Sequence, residues 1–303
     1  MRILFIGLVV FLSMSGCRHD PKNVRTVDFS DVVPFEAPGF SGSGKEPLKV
    51  AVSAILSPRE TFSSYEDILE YIADKLDVDI EFHQRRTYGE INNLLEKGQL
   101  DFAFICSGAY VQLNSKSDVE ILTVPVSHGK PYYQAYIIVP ANSSIQKFSD
   151  FKGHSFAYTD LLSNTGYLFA LYRIIEEGEN PGTFFSSTIF TNAHDVSIQM
   201  VAKGLVDGAT IDGLVFDYLK VNEPDRVRDI RIVEISEYFG IPPVVASSSM
   251  NSELKERVRD VLHNMHLDEY GRELISKLLI DKFIEGNDVD YDGIRMMRAA
   301  VGN

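Results

Sequence analysis

Residues 188–212, TIFTNAHDVSIQMVAKGLVDGATID, read as strand, helix and strand. Thr188 to Phe190 is a β-branched and aromatic run, Val196 to Lys203 carries apolar residues at helical spacing before Gly204, and Ala209 to Ile211 is a second apolar run. Upstream, Ser155 to Tyr158 reads as a strand and Thr165 to Glu176 as a helix, which extends the unit to βαβαβ. An earlier stretch repeats the pattern: strand Leu48 to Val52, helix around Tyr65, Ile68, Leu69, Ile72 and Leu76 capped by Ser63/Ser64, strand Val78 to Phe82, helix Tyr88 to Lys97 stopped by Gly98, strand Leu100 to Ile105. Strands alternating with helices predict a mostly parallel sheet with helices on both faces, so two series predict two α/β lobes. A strand from Tyr132 to Val139 separates them, and the chain returns near Pro242-Pro243-Val244-Val245-Ala246. The last third, from Asn251 through Met265 to Tyr291–Val301, reads as helical, with no third set of strands, and should pack on an existing lobe.

The chain begins differently. Arg2 precedes an apolar run from Ile3 to Met14, too short to span a bilayer as a stable helix, and then Ser15-Gly16-Cys17. This is an export signal. Its end resembles the lipobox of bacterial lipoproteins, in which the cysteine is lipidated; ordinary secretory cleavage nearby or a short N-terminal anchor are the other readings. Residues 18–47 hold prolines and the run GFSGSGKE, which reads as a flexible tether. The expected organisation is residues 1–16 signal peptide, 17–46 lipidated Cys17 and tether, 47–138 plus 245–303 one lobe, and 139–244 the other.

With 303 residues and 45% hydrophobic composition the chain can bury a sizeable core. A net charge of −14 argues against a nucleic-acid partner, which needs a basic surface, but does not exclude a small anion held by a few aimed donors. Ligands in open α/β sheets bind beyond the carboxyl ends of the strands, so two lobes joined by two crossovers surround one cleft. The junction Ser163-Asn164-Thr165 opens a helix there. It is either an anion site, with free N–H groups and hydroxyls, or a plain N-cap by Ser163. Ser107 lies at a similar junction after Cys106, and His194 at a third, where it either donates to an oxyanion or caps its helix. Asp212, ending GATID, either accepts the proton of a monoprotonated oxyanion or caps the helix that follows. Cys106 ends an apolar run and reads as a small buried hydrophobe. No GxSxG, P-loop, HExxH, CxxC or dinucleotide fingerprint is present, so no catalytic residue, metal or cofactor is assigned. His263 and His266 read as a solvated face, and Asp288, Asp290 and Asp292 as a loop and helix cap.

Six blocks in order, LKVAV followed by SP, TYGEINNLLEKGQLDFAFICSGAY, GKPYYQAYIIV, LLSNTGY, FTNAHDVSIQMVAKGLVDGATID and GIPPVV, resemble the phosphate/phosphite/phosphonate-binding proteins of ABC importers, the PhnD-like family, from Leu48 to the C-terminus. The resemblance implies the α/β type II periplasmic-binding-protein fold, two lobes joined by two crossover strands around a central cleft. It implies that Ser163, Asn164 and Thr165 hold the oxyanion with His194, Tyr88 and Tyr133. It also implies an ABC permease as partner, a monomer, and no membrane contact beyond the lipid. Asn164 stands where family members often have a hydroxyl residue. Leu214 and Pro242 stand at positions where members that bind aminoalkyl phosphonates have acidic residues, so a ligand without an ammonium is expected: phosphite, methylphosphonate or phosphate. A sensory module feeding a receptor or kinase is the alternative, and an enzyme on the same fold a third.

Overall fold

The computed structural model describes residues 47–302. The first series runs β1 (Leu48–Val52), α1 (Pro58–Leu76), β2 (Ile80–His83), α2 (Tyr88–Glu96), β3 (Phe102–Phe104) and α3 (Ser107–Asn114), followed by β4 (Glu120–Val126) and a two-residue strand, β5 (Tyr132–Tyr133). The second lobe holds β6 (Ala135–Pro140), β7 (Ser155–Tyr158), α4 (Phe169–Glu176), β8 (Ser187–Phe190), α5 (His194–Ala202), β9 (Gly208–Asp212), α6 (Gly213–Asn222) and β10 (Ile230–Ile235). The chain returns through β11 (Phe239–Gly240) to β12 (Val244–Ala246), α7 (Ser252–Asn264), α8 (Glu269–Lys277), β13 (Lys282–Ile284) and α9 (Asp292–Val301). The export signal, Cys17 and the tether lie outside the described residues.

Two sheets carry the two lobes, in the orders β13-β4-β12-β3-β1-β2 and β10-β6-β9-β7-β8. One end of each sheet is the expected set of parallel strands, β3-β1-β2 and β9-β7-β8. The sheets as wholes are mixed rather than mostly parallel. Strands on either side of a crossover enter antiparallel: β12 against β3 and β4, β6 against β9, and β10 against β6.

Strands β4, β10 and β13 have no counterpart in the sequence pattern read above. Pro125 interrupts β4 and pairs with Phe283, Arg231 and Glu234 break the apolar run of β10, and β13 is three residues long. The last third therefore contributes β12 and β13 to the first sheet as well as helices. Helix α1 begins at Pro58 rather than after Ser64, because a proline suits a first turn, where its missing N–H has no intrahelical partner anyway.

The expected strand Tyr132–Val139 breaks at Gln134, whose side-chain amide donates to the Ser236 carbonyl. On one side of the break β5 pairs with β11, so the outgoing and returning crossovers form a small antiparallel ribbon. On the other side all of β6 belongs to the second sheet, which places the first crossing before Ala135 instead of near Val139. Serine 107 braces this ribbon, its Oγ donating to the Gly240 carbonyl at 2.6 Å. Apolar packing fills each lobe, around Val50, Ile72, Phe102 and Leu262 in one and Ile138, Ile198, Ala209 and Phe216 in the other.

Candidate functional site

The carboxyl ends of β1, β2, β3, β7, β8 and β9, with the crossover strand β5, converge between the lobes and deliver the side chains at issue. Tyr88, Ser107, Tyr133, Ser163, Asn164, Thr165, His194 and Asp212 are each at most 2% exposed. Lobe-to-lobe hydrogen bonds enclose them: Tyr88 N–H donates to Asp160 Oδ2 at 3.1 Å, Ser57 N–H to Asp195 Oδ1 at 2.8 Å, and His194 N–H to the Ile55 carbonyl at 3.0 Å.

The helix that starts at Ser163 opens as a π-turn, Asn164–Leu168, before continuing as α4. Ser163 is its N-cap, its Oγ accepting from Gly166 N–H at 2.9 Å, which leaves the hydroxyl proton free to donate outward. Capping and anion contact are compatible here. Thr210 Oγ1 donates to the Thr165 carbonyl at 2.5 Å and pins the turn to β9. Gly166 is required, since a Cβ there would lie 2.5 Å from Thr159 Oγ1 and 2.8 Å from His194 Cε1. The imidazole thus lies directly against the turn.

Hydrogen bonding settles the chemistry of His194. Its Nδ1 accepts from Asp212 N–H at 3.0 Å and lies 3.2 Å from Thr159 Oγ1. With Nδ1 as acceptor, the ring proton resides on Nε2. Burial pushes the imidazole pKa down to about 3, so the ring is a neutral donor at physiological pH. Asp212 caps α6, accepting from Leu214 N–H at 2.8 Å, and burial pushes its carboxyl up to about 7. Near neutrality it is therefore able to donate a proton to an oxyanion as well as to accept one.

Five buried polar atoms of this region have no hydrogen-bond partner: Ser53 Oγ, Tyr88 OH, Asn164 Oδ1, Thr165 Oγ1 and His194 Nε2. Leaving one such group unsatisfied costs about 1–3 kcal/mol, so these five need water or a ligand as their partner. Three hydroxyls and a neutral Nε2–H make four donors. Asn164 adds a fifth when its amide is turned, because Tyr133 OH, 3.2 Å from Nδ2, serves equally well as a donor to the amide oxygen. Burial keeps the Tyr88 phenol protonated by raising its pKa. Ser107 is next to Tyr133 but its proton goes to Gly240, so it supports the ribbon rather than reaching into the cluster.

Ser53, Thr159 and Asp160 were not legible as site residues. The signal for Ser53 was its position directly after β1, where the other strand ends had drawn attention. The buried Cys106 thiol has its pKa pushed up to about 11 by desolvation, in keeping with an inert side chain. His263 bonds Thr123 Oγ1 at 3.0 Å, and Asp288 and Asp292 pair with Arg295. Among the described residues no three His, Cys, Asp or Glu side chains stand close enough to hold a metal ion.

Two α/β lobes on a double crossover, with polar groups of both meeting over the strand ends, define a type II periplasmic-binding-protein fold. Residues 50–291 match the ABC transporter phosphonate periplasmic substrate-binding proteins, and the chain belongs to that family. It is 24% identical over 288 residues to the phosphate-import protein PhnD of Mycolicibacterium smegmatis, covering 85% of this chain and 87% of that one. It is 19% identical over 266 residues to the phosphonates-binding periplasmic protein of Escherichia coli, covering 86% and 78%. Among solved structures, a binding-protein component of an ABC phosphonate transporter from Pseudomonas aeruginosa superposes with a TM-score of 0.79 at 21% identity, covering 84% of this chain and 87% of its own. PhnD1 of Prochlorococcus marinus in complex with methylphosphonate superposes at 0.76 with 16% identity, covering 84% and 98%. The family consists of extracytoplasmic substrate-binding proteins of transporters, not enzymes. No helix among the described residues is long and apolar enough to cross a membrane.

Proposed function

We propose that the protein binds a phosphorus oxyanion lacking an ammonium group, closes its lobes around it and delivers it to an ABC permease, held at the membrane by a lipid on Cys17. The observation that carries this reading is the enclosed set of unpartnered groups, Ser53 Oγ, Tyr88 OH, Asn164, Thr165 Oγ1 and His194 Nε2. They are donors without a fixed cation, which suits an anion whose charge is neutralised by hydrogen bonds and the start of the Ser163 helix. The relative with methylphosphonate and the relative named for phosphate import agree with that ligand class. Lobe closure is supported by the Tyr88–Asp160 and Ser57–Asp195 hydrogen bonds, which an opened cleft would break. Leu214 and Pro242 beside the cluster offer no partner to an ammonium.

Titration calorimetry with methylphosphonate and phosphate tests the reading. Thr165→Ala removes one hydrogen bond to a charged ligand, about 1.5–3 kcal/mol, and is expected to weaken binding roughly 10- to 150-fold. Unchanged affinity in that variant would place the anion elsewhere.

A further inference from the structure

Arg298, in α9, is a half-buried cation without a counter-ion. Arg173, Arg226, Arg259 and Arg295 are each paired with a carboxylate. Arg298 has no ion pair and no hydrogen-bond acceptor among the described residues, and desolvation alone lowers its pKa. Its place in the last turn of α9 suits a positive charge but does not account for burying one unpaired.

Arg298 lines a cavity of about 320 Å³ that opens to solvent beside Leu161, which is 64% exposed. Gly108 and Gln112 of α3 contribute from the first lobe, and Leu162, Tyr167 and Leu168 from the second. Helix α9 packs on both α3 and α4. Gln112 accepts from Asn92 Nδ2 through its Oε1 at 2.9 Å, which leaves its own amide hydrogens to donate. Tyr167 has no hydrogen-bond partner among the described residues, and burial raises its phenol pKa, so it is a protonated donor. The wall therefore offers one cation and two neutral donors among leucines, with no carboxylate, in a chain whose net charge is −14.

We propose that this cavity is a second ligand site, separate from the donor cluster, for a small organic carboxylate with an apolar body. A carboxylate is planar and matches the guanidinium fork with two parallel hydrogen bonds, and its single charge balances the single cation. Its body would cover Leu161, Leu162 and Leu168. An apolar cavity of about 150 Å³ accepts benzene, so the larger space has room for an aromatic carboxylate. The site is complete only while the lobes are closed. Helix α3 meets the second lobe so closely that a Cβ on Gly108 would lie 2.3 Å from the Leu162 carbonyl oxygen, and opening would carry Gln112 away from Tyr167. A bound carboxylate thus stabilises the closed form, and by linkage it tightens the cleft ligand by the same factor as that ligand tightens the carboxylate. The coupling rests on the phosphorus-oxyanion reading above; the site does not.

Calorimetry of the purified protein with benzoate, alone and with saturating methylphosphonate, tests this. Benzoate is expected to bind, and its uncharged isostere benzamide to bind at least about tenfold more weakly. Arg298→Gln keeps a long polar side chain without the charge. It should weaken benzoate by about tenfold or more, the loss of a hydrogen bond to a charged group, while methylphosphonate titrated alone binds as in the unmodified protein. Saturating methylphosphonate should tighten benzoate about fivefold or more, and benzoate should tighten methylphosphonate equally. No benzoate binding at millimolar concentration with or without methylphosphonate, benzamide equal to benzoate, or unchanged benzoate affinity in Arg298→Gln overturns the site. Competition between benzoate and methylphosphonate puts the carboxylate in the cleft and overturns it too. Benzoate affinity unmoved by bound methylphosphonate overturns the coupling to closure. Failure of methylphosphonate to bind at all counts against the oxyanion reading, and the benzamide and Arg298→Gln comparisons still decide the site.

Discussion

Asp212 ties three roles together: it caps α6, orients His194 through its own N–H, and sets the proton count of the cleft. Its carboxyl, raised to about 7 by burial, binds more protons in the folded than in the unfolded chain between an ordinary carboxylate pKa and 7. Its contribution accordingly favours folding at low pH and is lost as pH rises through that window. At ~1.4 kcal/mol per pKa unit the loss is of the order of a few kcal/mol. Asp212→Asn should flatten the fall in stability between about pH 4 and pH 7, followed by chemical denaturation at a series of pH values. Identical slopes in the two proteins would contradict the assignment. At this scale the sequence was informative about residue types at strand ends, since Thr165, His194 and Tyr88 all contribute unpartnered atoms. It could not tell a donor that faces the cleft from one engaged elsewhere. Ser107 and Ser53 both follow apolar strands, yet one hydroxyl is bound to Gly240 and the other is unpartnered.

Helix starts do the work at the next scale. The π-turn Asn164–Leu168 widens the opening of α4, and α3 approaches it from the other lobe so closely that a Cβ on Gly108 would lie 2.3 Å from the Leu162 carbonyl oxygen and 2.8 Å from Asn164 N. Glycine is needed there for close approach between lobes. Gly108→Ala should hold the lobes apart and weaken ligand binding at least tenfold. One apolar cluster runs through both lobes, from Ile91 and Tyr110 to Phe156 and Ile174, so calorimetry is paired with a thermal melt of the ligand-free protein to separate lost closure from lost packing. Affinity equal to that of the unmodified protein would show that the α3 contact does not limit closure. Elements buried on both faces, such as β1, β3, β7 and β9, were readable as apolar runs between turn signals. β4 and β10 were not, because Pro125 in one and the charged Arg231 and Glu234 in the other weaken the pattern while tertiary pairing supplies the missing preference.

The whole molecule carries a net charge of −14 and is nonetheless built to hold an anion. The two facts concern different distances. Surface charge is screened beyond about 8 Å at physiological ionic strength, whereas the cleft presents neutral donors at hydrogen-bond range. Two repeated series foretold two lobes, but not the mixed sheets, since the antiparallel entry of β6, β10 and β12 follows from how the crossovers thread between lobes. Nor could the sequence foretell the ribbon of β5 and β11, which makes Tyr133 a crossover residue that touches Asn164 of the second lobe. The central claim is that atoms from both lobes grip one phosphorus oxyanion. A crystal structure of the protein with methylphosphonate tests it most directly. The expected result is phosphonyl oxygens within hydrogen-bond distance of Thr165 Oγ1, His194 Nε2 and Tyr88 OH, with the methyl group turned toward Leu214 and Pro242. A ligand bound outside this cleft, or held by one lobe alone with those three atoms still unpartnered, would contradict it.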